Sequence, residues 1–255
     1  MTIHNTLFVG KVLLHFTQLA STNDYAFDLL QQQKPIEGTV ILTDHQYRGK
    51  GQMGNHWESK ANENISVSII FHPSFLSPKE QFYLNIAISL AVRNTLAHFT
   101  HQKVQIKWPN DILIQDQKVA GILIQNLISS TKMQSSVVGI GINVNQSTFS
   151  DSIKNATSLH LSTGQIFRIP DIVQQLCQQI EANYLLVKKG KYKLLRTTYF
   201  QHLFRFQKWA DYELPQSGNT KGKIIDVLEN GRLVVEHKDM KGLKTYQLKE
   251  IQFVL

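Results

Sequence analysis

Apolar positions along the chain follow two rhythms. Alternating or β-branched runs at residues 12–16, 39–43 and 65–71 predict short strands. Residues 22–33 carry the helical spacing, with Ala26, Leu29 and Leu30 on one face and Ser21-Thr22-Asn23 supplying cap residues. Residues 79–99 have the period of a long helix, with Phe82, Ile86, Leu90 and Val92 or Leu96 turned inward. Two runs at 104–107 and 112–114, the polar turn Gln115-Asp116-Gln117 and a return at 119–128 predict antiparallel pairing. A strand at 136–144 and helices at 171–187 and 191–206 follow. Beyond Trp209 the rhythm changes to strands at 222–228, 233–236, 243–248 and 251–255, with Asn230-Gly231 as a hairpin signal. The expectation is an α+β fold with a mixed or antiparallel sheet, divided into residues 1–208 and a small all-β module at 209–255.

Composition narrows the class. The 255 residues are 42% hydrophobic and 18% charged, an ordinary globular balance. No stretch approaches the ~18 apolar residues of a membrane span, and residues 1–10 lack a signal-peptide pattern. The single cysteine, Cys177, excludes an internal disulfide and a multi-cysteine metal site, and it points to the cytoplasm. It falls in a predicted helix and reads as a buried thiol. The net charge of +8 concentrates in Lys188, Lys189, Lys191, Lys193, Arg196, Arg205 and Lys208. That run suits a nucleic acid, an acidic protein partner or a solvated helix face. His98 and His101 read as a helix end.

Residues 49–54, Gly-Lys-Gly-Gln-Met-Gly, match G-x-G-x-x-G. A dinucleotide fold needs a helix to start inside that loop, and here Asn55-His56-Trp57-Glu58 lead into another strand. A P-loop and a kinase loop fail on their remaining signatures. What survives is a loop whose backbone N–H groups can line an anion, with Arg48 and Lys50 adding charge and Trp57 offering a stacking face.

Lys107-Trp108-Pro109-Asn110-Asp111 places proline and polar residues inside an apolar run. Asn110 and Asp111 carry hard oxygens suited to magnesium, and Lys107 can meet a phosphate. Lys118-Val119-Ala120-Gly121 opens the return strand, so pairing brings residues near Asp111 opposite those near Gly121. The register is not legible from sequence. Gly139-Ile140-Gly141-Ile142-Asn143 adds a strand that permits close backbone approach. Together these residues suit adenylate chemistry.

On Ser21-Thr22-Asn23, Gln46, the loop from Gly49 to Trp57, the tract from Lys107 to Asp111, Lys118 to Ile122 and Gly139 to Asn143, the chain resembles the biotin protein ligase family along nearly its whole length. The resemblance implies the class II synthetase-like catalytic fold with a C-terminal SH3-like barrel. It implies the ligase-only class, since about 20 residues precede Ser21, too few for a winged helix-turn-helix. It implies that biotin attacks ATP to give biotinyl-5′-adenylate, and that a lysine of a biotin carboxyl carrier protein then takes the biotinyl group. By the same resemblance Ser21, Thr22, Asn23, Gln46, Lys50, Gly51, Gln52, Lys118 and Gly121 contact biotin. Gly49, Lys50, Gln52, Trp57, Lys107, Asn110, Asp111, Lys118 and Asn143 contact ATP. Lys118 and Asp111 are the catalytic pair, and Asn110 and Asp111 hold Mg2+. No tightly bound cofactor, membrane or specific DNA contact is implied, and family members occur as monomers and homodimers.

The chain departs from the family in one place. The family loop often reads Gly-Arg-Gly-Arg-x-Gly-Arg, and here Lys50, Gln52 and Asn55 stand at the arginine positions. Loss of bidentate, charged donors implies weaker retention of the adenylate. The rival readings are a lipoate or octanoate ligase, whose Arg-Arg-x-Ser-Gly-Gly-Gly segment is absent, and a basic nucleic-acid-binding protein, for which no helix-turn-helix or stacking signature appears. The tail is expected either to bind peptides or to pack on the larger part and help close the ATP site.

Overall fold

The computed structural model describes residues 1–129, 132–151, 153, 155–216 and 218–254. In chain order the first part contains β1 (Leu13–Phe16), α1 (Thr22–Gln32), β2 (Val40–Thr43), β3 (Gly49–Lys50), β4 (His56–Trp57), β5 (Asn64–Phe71), α2 (Phe82–Phe99), β6 (Val104–Lys107), β7 (Asp111–Ile114), β8 (Gln117–Ser129), β9 (Lys132–Asn143), α3 (Leu159–Thr163), α4 (Ile169–Lys188) and α5 (Tyr192–His202). The tail contains β10 (Trp209–Leu214), β11 (Gly218–Val227), β12 (Leu233–His237), β13 (Leu243–Tyr246) and β14 (Gln252–Phe253). Leu255, the end of the expected last strand, lies outside the described residues.

Seven strands form one sheet in the order β1-β2-β5-β9-β8-β7-β6, in which the β1–β2 pair is parallel and the other pairs are antiparallel. Strand alternation gives the sheet two different faces. One face turns Leu42, Val67, Ile69, Ile140, Ile122 and Ile106 into the main core, which α2 and α4 cover. Helix α2 is buried on nearly every side, so it is apolar almost all round rather than amphipathic. Cys177 is buried on α4.

The other face is only partly covered. Ala26 of α1 packs on Ile41, Ile70 and Val137, with Leu14, Phe16, Leu29 and Leu30 around them. The N-cap Ser21 accepts a hydrogen bond from the Asp24 N–H and fixes where α1 starts. Beyond that start the same face carries Ser66, Ser68, Gly139, Gly141 and Gly121. Small side chains leave the sheet bare there.

The tail is a second sheet in the order β13-β12-β11-β10-β14, the antiparallel arrangement expected of the SH3-like module. It packs on the first part. The Trp108 indole N–H donates to the Gly231 carbonyl at 2.9 Å, and Tyr83 donates to Glu229 at 2.9 Å. Arg196 reaches the Val227 carbonyl at 2.9 Å and the Asp226 carboxylate at 2.7 Å. Of the β11–β12 turn pair, Gly231 alone takes a positive φ (86°), and a Cβ there would lie 2.7 Å from the Phe82 ring. The Asn-Gly signal therefore marks the hairpin, while its glycine also lets the seam close.

Several expectations need correction. The helix foreseen at 191–206 ends at His202, because the chain turns to lie along β6, where Phe204 N–H bonds the Ile106 carbonyl at 2.8 Å. Strand β10 lies ahead of the expected strands although Ala210, Tyr212 and Leu214 alternate inward between exposed Trp209, Asp211 and Glu213, whereas the first half of β11 carries no large apolar residue to mark it. The glycine loop closes through the β3–β4 pair around a single 3-10 turn.

The β7–β8 hairpin turns through Gln115 and Asp116, both at positive φ (46° and 70°). That is the two-residue turn in which Asn-Gly is favoured. Asp116→Gly is expected to raise unfolding stability by up to about 1 kcal/mol, because it removes the left-handed penalty of a side chain. An upward shift of the urea midpoint at constant slope checks this; an unchanged midpoint contradicts it.

Candidate active site

A cavity of about 380 Å3 opens over the bare part of the sheet. It is bounded by the start of α1, the glycine loop, the Lys107 to Asp111 tract and the C-terminal strand region.

Its charged end depends on a β-bulge. Asp111 pairs with Gly121 and Leu113 with Lys118, with a register shift between Ile112 and Leu113 that leaves Val119 as the extra residue. In a regular strand Lys118 and Gly121, three apart, would face opposite ways. The bulge turns both toward the cavity, on the face of Asp111. The Lys118 ammonium then meets the Asp111 carboxylate at 2.7 Å. The Lys118 backbone is held on its other side: its N–H bonds the Asn155 carbonyl at 2.8 Å, and its carbonyl accepts from Thr157 at 2.9 Å. Lys107, register partner of Asp111, lies with its ammonium 5.2 Å from the Phe253 ring centroid. Burial pushes the Lys107 pKa below its ordinary value; Asp111 opposes that shift, and Lys118 and Arg205 add to it. Two cations thus share one carboxylate, leaving room for an anion.

The middle is floored by glycine. The Trp57 indole lies over Gly121 and Gly141, where added Cβ atoms would come within 2.9 and 2.3 Å of its ring. Lys118 sits 5.5 Å from the centre of that ring. Asn110 ties the tract to β8 by donating to the Ile122 carbonyl at 2.7 Å.

The far end is a neutral hydrogen-bond cluster. Gln46 accepts from the Thr22 N–H at 2.8 Å. Ser68 contacts Thr22 Oγ1 at 2.7 Å and Asn23 Oδ1 at 2.6 Å. The Asn23 amide donates to Gln125 at 2.9 Å. Gly139 is required here, because a Cβ would fall 2.2 Å from Asn23 Oδ1. Loop residue Lys50 lines the cavity with its ammonium paired to Asp24 at 2.8 Å.

Of the residues expected from sequence, Ser21, Thr22, Asn23, Gln46, Lys50, Gly51, Gln52, Trp57, Lys107, Asn110, Asp111, Lys118 and Gly121 line the cavity. Gly49 and Asn143 do not. Gly49 gives space to the Gln46 amide, and Asn143 is buried with its amide on the Thr157 carbonyl at 2.9 Å. Sequence reasoning missed Ser68 and Gln125, which hydrogen-bond Thr22 and Asn23 from behind the cavity, and the lining residues Leu248, Lys249, Ile251, Gln252 and Phe253. A period-2 reading of β5 and β8 would have put Ser68 and Gln125 on the ligand face; nothing local marks the tail residues. Among the described residues no three His, Cys, Asp or Glu side chains gather in a metal-binding group.

Gly141→Ala is expected to lift Trp57 off its floor. The Trp57 emission, taken as the difference from a Trp57→Phe variant, should shift to longer wavelength. An unshifted spectrum would show that the close contact is not maintained.

Against this geometry stand the likenesses to known proteins. The model of the Biotin/lipoate A/B protein ligase family matches residues 15–143. The bifunctional ligase/repressor BirA of Bacillus subtilis is 29% identical over 261 residues, covering 97% of this chain and 75% of that protein. The biotin--[acetyl-CoA-carboxylase] ligase of Mycobacterium tuberculosis is 27% identical over 225 residues, covering 86% and 81%. The biotin protein ligase of Aquifex aeolicus, solved with biotin and ATP, superposes with a TM-score of 0.79 at 25% identity, covering 96% of this chain and all of that one (100%).

Proposed function

The chain belongs to the biotin/lipoate A/B protein ligase family, and from that premise we propose how its cavity joins biotin to a protein lysine. The overall reaction is ATP-dependent biotin ligation. In the first step an oxygen of the biotin carboxylate attacks the α-phosphorus of ATP; the bond to the bridging oxygen breaks and pyrophosphate leaves. In the second step the neutral amine of a carrier lysine attacks the acyl carbon, loses a proton and releases AMP.

The observation that carries the assignment of roles is the polarity of one cavity. It is neutral and hydrogen-bonding at Thr22, Asn23 and Gln46, and cationic at Lys107 and Lys118. A ureido ring with a carboxylate tail fits that sequence of chemistries, and a purely apolar acyl chain does not use its first half. Ser21, Thr22, Asn23 and Gln46 take the biotin rings. Lys118 lies between carboxylate and α-phosphate and offsets the charge that accumulates on the pentacoordinate phosphorus. Asp111 holds Lys118 in place before substrates arrive. Trp57 faces the adenine region, and Gly49 to Gln52 close over the adenylate. Asn143 acts through Thr157, whose N–H carries the Lys118 carbonyl. Gly121 supplies clearance.

Magnesium enters with ATP. A lone carboxylate fits this role, because magnesium keeps waters and phosphate oxygens as its other ligands. Asp111, seconded by Asn110, would hold it and shield the phosphate charge. The tail, residues 209–255, walls the nucleotide side of the catalytic part, residues 1–208, through Lys249 and Phe253. The acceptor is a biotin carboxyl carrier protein, and the setting is the cytoplasm. The exposed lysines at 188–193 lie with α4, on the sheet face opposite the cavity. That position does not favour them as the carrier's dock.

Lys118→Ala is expected to slow biotin-dependent exchange of pyrophosphate into ATP by about 100-fold or more, the scale of a lost electrostatic stabiliser. Exchange at the unaltered rate would remove Lys118 from the chemistry, and exchange supported by lipoate in place of biotin would overturn the substrate. Gln52→Arg is expected to slow adenylate release by restoring a charged donor in the loop. An unchanged release rate, measured by chase of labelled adenylate, would contradict the argument from the substituted arginines.

A further inference from the structure

We infer that Gln125, an exposed residue outside the cavity lining, is a positioning residue for recognition of the biotin ureido group. The inference rests on the ligase reading above.

The protons available along a chain of contacts fix its direction. The Asn23 side-chain amide donates to the Gln125 Oε1 atom at 2.9 Å, with the Leu123 carbonyl 3.5 Å away as a weaker second acceptor. A backbone carbonyl cannot turn around, so Leu123 calls for the NH2 side of Asn23, and Gln125 turns its own oxygen to the same group and holds it with the shorter bond. The Oδ1 atom of Asn23 therefore faces Ser68 and can only accept there. A hydroxyl has one proton. That of Ser68 is committed to Asn23 Oδ1 at 2.6 Å, so the 2.7 Å contact between Ser68 and Thr22 uses the Thr22 proton. The Thr22 hydroxyl oxygen is left with its lone pairs toward the cavity it lines. Gln46 Oε1 also lies 3.2 Å from the Thr22 hydroxyl, but it already accepts from the Thr22 backbone N–H at 2.8 Å, so the single Thr22 proton goes to the shorter contact with Ser68.

Each bond in this chain points the same way, from the cavity outward to Gln125. Bonds aligned in that manner polarise one another and strengthen. The relay presents an acceptor to an N–H group on the ligand. Biotin's ureido ring carries such N–H groups, and the ring sulfurs of a lipoyl group do not. Gln125 stands on the same strand face as Gly121 and Leu123, next to the start of α1, and its register partner Val137 packs under Ala26. Its side chain is exposed, so substitution leaves the core intact.

The test compares Gln125→Leu with Gln125→Glu in the full chain, measuring the KM for biotin, the KM for ATP and kcat in pyrophosphate exchange. Gln125→Leu should raise the biotin KM about 5-fold, with the ATP KM and kcat within about 2-fold, the size of one hydrogen bond's contribution. Gln125→Glu keeps an acceptor and should hold the biotin KM at or below its starting value. Three results would overturn the inference while leaving the ligase reading intact: an unchanged biotin KM in Gln125→Leu, a parallel rise in both KM values, or a glutamate variant as impaired as the leucine one. Failure of the unaltered chain to adenylate biotin would overturn both.

Discussion

One extra residue in β8 sets the geometry on which the charged half of the site depends. Without the bulge at Val119, the alternation of the strand would bury either Lys118 or Gly121 against α2, and the lysine could not share a face with Asp111. With it, the Lys118 ammonium reaches Asp111, and Gly121 leaves the opening that Trp57 covers. The bulge is stabilised from outside the sheet. Asn155 and Thr157 bond the Lys118 backbone groups, and Asn143 bonds the Thr157 carbonyl. A residue expected to touch ATP thus stands behind Lys118.

The neutral half depends on a different constraint, the removal of side chains from a sheet face. Beside Ile41, Ile70 and Val137, which α1 covers, the rows continue as Ser68, Gly139, Ser66, Gly141 and Gly121. The same two strands therefore build core at one end and the cavity floor at the other. Cβ atoms at Gly139 and Gly141 would collide with Asn23 and Trp57, so the glycines serve packing of functional side chains rather than backbone freedom. In this chain neither glycine is needed for a positive φ.

Legibility followed the same division. The strands of the first sheet, the long helices and the polar tract were readable because each has a local period or a local interruption. Asp111 and Lys118 were recognisable as residue types, but their shared face was not, because a bulge leaves no mark in composition. The rejection of a dinucleotide loop at residues 49–54 was sound for a physical reason: a 3-10 turn and the short β3–β4 pair stand where a helix would have to begin. Lys249 and Phe253 could not be assigned to the cavity from sequence, since they reach it only after the tail folds back through Trp108, Arg196 and Tyr83. Ser68 and Gln125 were hidden differently: each looks like an ordinary polar residue on a strand, and only the path of the hydrogen bonds gives them a direction.

The two halves of the cavity solve opposite electrostatic problems. At the charged end, two lysines and one carboxylate leave net positive potential in a partly buried place, and burial already pulls the Lys107 pKa down. An anion arriving there relieves a repulsion as well as forming a contact, so the lysines are poised for substrates that carry charge. At the neutral end no charge is available, and discrimination has to come from the direction of hydrogen bonds. A chain of hydroxyls and amides is ambiguous until one member is fixed, because every hydroxyl can donate or accept. The Leu123 carbonyl, which cannot rotate, selects the direction, the shorter bond to Gln125 holds it, and it propagates through Asn23 and Ser68 to Thr22. A directed relay can meet an N–H with an acceptor without placing any charge beside it. One cavity thus keeps the positive potential of Lys107 and Lys118 at one end, apart from the neutral hydrogen-bond cluster of Thr22, Asn23 and Gln46 at the other.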